Sequence, residues 1–129
     1  MSKYTYHNGK WDGKSFFVFG SNLAGRHGAG AAKYAMQVCG AKYGQGVGLA
    51  GLSYAVPTKD ECIVTLPLPV IKKYVEEFLV VARNRDAWTF FITALGTGLA
   101  GYKHSDIAPM FKDAPENCVL PIEWKEYVE

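Results

Sequence analysis

The clearest pattern along the chain is an apolar set at Ile71, Tyr74, Val75, Phe78, Leu79 and Ala82, spaced i, i+3, i+4, i+7, i+8 and i+11. Lys72, Lys73, Glu76 and Glu77 fall opposite it, so the spacing predicts an amphipathic helix from about Val70. Pro69 suits its first turn, where an amide has no intrahelical partner to lose. Other runs break this period. Residues 16–19 (Phe-Phe-Val-Phe) and 88–93 (Trp-Thr-Phe-Phe-Ile-Thr) are apolar on both faces, as strands covered on both sides of a sheet must be. Cys118-Val119-Leu120-Pro121 reads as a last buried strand, and Ser53-Tyr54-Ala55-Val56 as a short strand that Pro57 ends.

Weaker patterns fill the gaps. Tyr4 to Tyr6 alternates with polar neighbours, and the turn pairs Asn8-Gly9 and Asp12-Gly13 precede residues 15–19, which predicts an edge hairpin. From about Gly28 to Ala41 the chain is Ala-rich with Tyr34, Ala35 and Val38 at helical spacing, predicting a helix. Residues 43–51 hold four glycines and read as a long loop, and Ile63-Val64-Thr65 as a further extended piece. Ser105 is expected to cap a short helix running to Phe111, with Asp106 in its first turn. Strands alternating with helices place the chain in the α/β class, with a mostly parallel sheet between helical layers and ligands outside the carboxyl ends of its strands.

The glycines sharpen this picture. Twelve of the fourteen lie between Gly20 and Gly51 or between Gly96 and Gly101. Two glycine-dense stretches, 19–30 and 96–101, each follow an apolar run and precede a helical segment, the arrangement of two ligand-facing loops on one rim. A loop rich in free amides that ends at a helix start suits a phosphate or another anion, and two side by side suit a diphosphate, with Arg26 or His27 adding positive charge. Asn22, at a strand end, can orient a ribose hydroxyl or a water; its other reading is a turn residue. Lys59, just past a strand end, can bring an amine to the same rim. Asp12, Tyr54 and Tyr102 are candidates for recognising a nucleobase.

Composition excludes several classes. At 129 residues the chain fits one domain, residues 1–129, with a core that needs no staple. Hydrophobic residues at 49% and charged residues at 20% exclude disorder, and the net charge of +2 is too dispersed for a nucleic-acid footprint. Cys39, Cys62 and Cys118 stand far apart with no C-x-x-C spacing, so no metal site, cofactor site or disulfide framework is expected. With no membrane-length apolar stretch and no signal-peptide core in residues 1–7, a cytoplasmic location is expected.

Familiar motifs fail on context. Residues 96–101 and 46–51 both match G-x-G-x-x-G, yet the second follows no predicted strand, and the first has only 28 residues after it, too few for a dinucleotide-binding domain. Lys33 lies three residues past Gly30 with no Ser or Thr behind it, which excludes a P-loop. Ser21 lacks the second glycine of a serine-hydrolase elbow.

With those residues laid out, Val18-Phe19-Gly20-Ser21-Asn22 followed by Gly28-Ala29-Gly30-Ala31-Ala32 resembles the macro-domain signature, in which N-A-A-N precedes a glycine run that opens the first helix. Asn22 falls on the last Asn of that motif and Gly30 on its last glycine. Gly96-Thr97-Gly98-Leu99-Ala100-Gly101-Tyr102 resembles the second macro loop, which wraps the diphosphate and distal ribose. The wording around Ser21-Asn22-Leu23-Ala24-Gly25 is closest to small single-domain macro-like proteins of bacteria and their phages. The resemblance spans about Phe16 to Pro121. It implies a three-layer α/β/α fold with a mixed, mostly parallel sheet, and an ADP-ribose-like small molecule or an ADP-ribosylated macromolecule as partner. It also implies an activity seen in such proteins, hydrolysis of ADP-ribosyl linkages or of ADP-ribose 1''-phosphate, with Asn22, His27 and Lys59 as catalytic candidates. Lys59 would match the nucleophile of the lysine branch of the family. Two departures weigh toward a non-catalytic binder: Ala32 and Ala100 stand where hydrolase branches carry Asp, leaving Asp60, Asp106 or a group of the substrate to replace it, or Asn22 to position a water alone.

Overall fold

Residues 16–19 need neighbours on both edges and cover on both faces, and the middle of the sheet supplies both. A computed structural model describes residues 3–129; Met1 and Ser2, part of the N-terminal segment read above, lie outside the described residues. Six strands, β1 (Thr5–His7), β2 (Phe16–Asn22), β3 (Gly48–Ala50), β4 (Ser53–Lys59), β5 (Phe90–Ile92) and β6 (Cys118–Pro121), form one sheet in the order β1-β6-β5-β2-β4-β3. Every neighbouring pair is parallel except β3 with β4, so the sheet is mixed and mostly parallel, as expected. Val18 stands opposite both Tyr54 and Ile92, at the centre of the ladder.

The alternation of β2 divides the core into two layers. Val18 joins Tyr54, Val56, Phe90, Ile92 and Leu120 beneath α2 (Leu68–Arg83), whose buried residues are Ile71, Val75, Phe78, Leu79 and Ala82. Phe17 and Phe19 point the other way, with Ala55 and Phe91, against Ala32, Ala35 and Cys39. Those last three belong to α1 (Gly30–Tyr34) and to the single π turn Ala35–Cys39 that continues it, closed by Gly40 in the left-handed region at φ 86°. The result is the α/β/α sandwich. Among the described residues no helix is long and apolar enough to cross a membrane.

Several local expectations are corrected. Among the described residues there is no N-terminal hairpin: both edges of β2 are taken by β4 and β5, so β1 pairs in parallel with β6, Thr5 opposite Val119. Pro57 does not end β4: pairing with β3 stops at Ala55, so that edge has no ladder left for proline to interrupt, while pairing with β2 runs on with Ser21 opposite Pro57. Residues 48–50 are an edge strand rather than loop, and the Gln45 carboxamide donates to the Val47 and Leu49 carbonyls, standing in for a further strand. The wider π turn carries Cys39 onto the sheet and leaves Val38 exposed. Of residues 63–65 only Thr65 pairs, in an isolated bridge with Lys59. The cap of α3 (His104–Ile107) is Lys103, whose amide donates to the Asp106 carboxylate, while Ser105 lies inside the helix. A further short helix, α4 (Lys125–Val128), follows the buried Trp124.

Candidate ligand-binding cleft

The strand β2 carries Gly20, Ser21 and Asn22 to the carboxyl rim of the sheet, and the loop beyond is held by side chains. The Asn22 carboxamide donates to the Arg26 carbonyl and accepts the Arg26 amide, both at 2.9 Å, so its turn role is real and its side chain is engaged. The Ser21 hydroxyl donates to the Gly46 carbonyl. Behind the loop runs the second glycine segment at contact distance: a Cβ on Gly25 would lie 2.3 Å from the Gly44 carbonyl carbon, and one on Gly46 2.2 Å from the Asn22 oxygen. Residues 44–46 are thus a buttress.

His27 is corrected as a ligand contact. It is fully buried between that buttress and the sheet, with Nε2 3.0 Å from the Gln45 carbonyl and its ring edge-on to Phe19. It is absent from the cleft wall because the loop turns it inward, where an imidazole fills apolar volume beside one accessible carbonyl.

The cleft itself measures about 590 Å³ and lies between the two glycine loops, in the size range of small-molecule sites. One wall is Gly28, Ala29, Gly30, Ala31 and Ala32; the other is Gly96, Thr97, Gly98, Leu99 and Ala100, with Asn22 and Lys59 between them. The first amide after the loop with a backbone partner is Lys33, which donates to Ala29. Across the cleft, Thr97, Gly101 and Tyr102 donate to Ala94, Gly98 and Gly96. The peptide N–H groups of Gly28, Ala29, Gly30, Ala31, Ala32, Gly98, Leu99 and Ala100 therefore take no partner among the described residues. Arg26 and Lys59 line the cleft, and among the described residues no carboxylate does. Free backbone donors beside two cationic side chains give this cleft a lining that complements negative charge. Gly101 and Tyr102 close the second loop without lining the cleft; the Tyr102 hydroxyl donates to the Leu66 carbonyl instead.

A second cleft of about 840 Å³ adjoins the first, sharing Gly30, Ala31, Thr93 and Ala94 with it. Its walls include His7, Asn8, Trp11, Phe17, Tyr34, Phe91 and Glu123. Sequence reasoning missed this wall; the nearest signal was the turn pair at Asp12. The nucleobase candidates named there are corrected. Asp12 accepts the Lys14 and Ser15 amides, Tyr54 is buried edge-on to Phe78, and neither they nor Tyr102 line either cleft. The acids named in place of a missing catalytic Asp are likewise engaged in turns, Asp60 with the Cys62 and Val64 amides and Asp106 with Lys103.

His7 is stacked on Phe91 with ring centroids 3.8 Å apart; Nδ1 accepts the Gly9 amide, so Nε2 carries the proton toward the Ile92 carbonyl at 2.6 Å. Burial lowers its pKa below the ordinary 6.5. The unfolded chain then binds the extra proton first, so this stability is present above pH 6.5 and is lost as the pH falls from there through the folded value. The drop in Tm between pH 7.5 and 5.5 is expected to be smaller in His7→Gln than in the wild type; equal drops would contradict it. Burial also pushes the Cys39 and Cys118 thiols up to about 11 and 12, away from nucleophilic chemistry.

No protein-family model matches this chain, and no curated protein matches it. Among solved structures it is similar to the macrodomain of Mycobacterium tuberculosis DarG, with a TM-score of 0.67 over 94% of this chain and 98% of that one, at 18% identity. The chain has the macrodomain fold.

Proposed function

We propose that the protein binds ADP-ribose, free or attached to a macromolecule, across the two joined clefts. The observation that carries this is a set of eight peptide N–H groups with no partner among the described residues, all on residues that line one cleft whose charged side chains are Arg26 and Lys59. Such a lining complements a diphosphate: each phosphoryl oxygen replaces a water on an amide, and the cations offset the charge. The adjoining cleft offers an aromatic wall for a base, with the Glu123 carboxylate as an acceptor for an exocyclic amine. The distal ribose then lies at the other end, beside Asn22 and Lys59. The macrodomain fold supports this reading.

Binding is favoured over hydrolysis because activating a water needs a general base, and Asp60 and Asp106 are spent on backbone amides. Turnover, if it occurs, runs through the Lys59 amine, in keeping with the lysine branch that the sequence resembles.

Calorimetry with ADP-ribose tests the reading, with a time course on mono-ADP-ribosylated protein for turnover. Absence of binding heat and of any thermal shift with ADP-ribose would sink it. Gly98→Val is the sharpest variant. Gly98 has an ordinary backbone conformation and open space where a Cβ would stand, so the fold should keep its Tm. Its new methyl groups fill the cleft and should weaken ADP-ribose binding by about tenfold or more. Wild-type affinity in that variant would remove the second loop from the site.

A further inference from the structure

We infer that Ile63 is a specificity-determining residue that recognises the sugar at the far end of the ligand; this rests on the reading of the cleft as a diphosphate site. Among the described residues Ile63 is the one non-glycine residue with positive φ, at 63°. A β-branched side chain is strained in the left-handed region, where Gly or Asn is the ordinary choice. Strain of this kind persists where the surrounding structure over-determines it, and here it does. The turn after β4 is locked by the Asp60 carboxylate accepting the Cys62 and Val64 amides, by Asp60 N–H to the Val64 carbonyl and by Ile63 N–H to the Asp60 carbonyl. Leu66 N–H donates to the Thr58 carbonyl behind it, and the Thr65 hydroxyl donates to the Ala100 carbonyl, tying the turn to the second glycine loop.

The side chain held there is no part of the buried core. Ile63 belongs to neither hydrophobic layer and remains 39% exposed. It does line the cleft, in the turn that Lys59 and Thr65 close directly after β4, and Leu99, 72% exposed, lines it from the second glycine loop. The apolar side chains of Ile63 and Leu99 suit the carbon face of a ribose and bring no donor to a terminal phosphate, whose charge is left to Lys59 and the loop amides. Ile63 therefore discriminates a nucleoside diphosphate that carries a second sugar from one that ends at the β-phosphate.

Affinities for ADP-ribose and ADP in the wild type, Ile63→Val and Ile63→Asn test this. The wild type and Ile63→Val, which keeps the branched wall, are expected to prefer ADP-ribose. Ile63→Asn, at ease in the left-handed region, should bind ADP as before and lose about tenfold in preference for ADP-ribose, with Tm unchanged or raised. An unchanged preference in Ile63→Asn, or a fall in Tm that marks Ile63 as structural, would overturn the inference. A wild type that binds neither nucleotide would instead overturn the proposed function.

Discussion

Gly46→Ala is expected to destabilise the protein by about 3 kcal/mol, lower its Tm by about 10 °C and abolish measurable ADP-ribose binding. The added methyl would stand 2.2 Å from the Asn22 carbonyl oxygen and 3.0 Å from Leu23 Cα, both backbone atoms, so no side chain can swing away. Asn22 ends the central strand and holds the loop through its two bonds to Arg26. Moving it disperses the run of free amides that begins at Gly28. The Ser21 hydroxyl loses its acceptor on the same peptide, leaving a buried donor unsatisfied. Gly28→Ala is the control: no atom lies within 4 Å of its Cβ position, and its Tm should match the wild type. Thermal unfolding and calorimetry on both variants decide the matter. A Gly46→Ala protein with wild-type Tm and affinity would mean the buttress does not hold the loop.

The two loops were legible because their signal is local. A strand apolar on both faces, then glycines, then an Ala-rich segment fixes where the first loop starts and what it abuts, and the same logic reached the second. The helix over Ile71 and Ala82 was legible for a similar reason, since its period repeats over several turns. What failed was pairing at a distance. Thr5–His7 has no local mark that its neighbour is Val119, at the other end of the chain; only the occupancy of both edges of β2 decides it. His27 sits between Arg26 and Gly28 in sequence, and which of them faces the ligand is a matter of loop dihedrals that composition does not carry. The second cleft failed for a further reason. Its walls come from the end of β1, the segment before β2, the first helix, β5 and the segment after β6, so no single stretch announces it. Even the near miss at Asp12 has a physical cause: its carboxylate is consumed by the Lys14 and Ser15 amides, and its neighbour Trp11 contributes to the wall instead.

The same division separates ligand contacts from the residues that hold them, and Trp124→Ala probes the second kind. Its indole is fully buried against Phe111, with ring centroids 5.1 Å apart, and Nε1–H donates to His104 Nδ1 at 3.0 Å. Removing it leaves a large cavity and takes the indole donor from His104, a loss of about 3–5 kcal/mol from a total stability that is only about 5–15 kcal/mol for domains of this kind. A Tm lowered by more than about 10 °C is expected. The loss should reach the cleft as well, because His104 opens the helix that carries Ile107, and Ile107 Cδ1 lies 2.9 Å from where a Cβ of Gly96 would be. Trp124→Phe, which keeps most of the apolar contact and loses only the donor, should lose about 1–2 kcal/mol. Saturating ADP-ribose offers a second readout: at one hundred times its Kd it should restore roughly 2.7 kcal/mol to any variant whose folded state retains the site. Recovery of that size in Trp124→Phe but a smaller one in Trp124→Ala would place the seat of α3 in the energetics of the second loop. Equal recovery in both would confine Trp124 to the core.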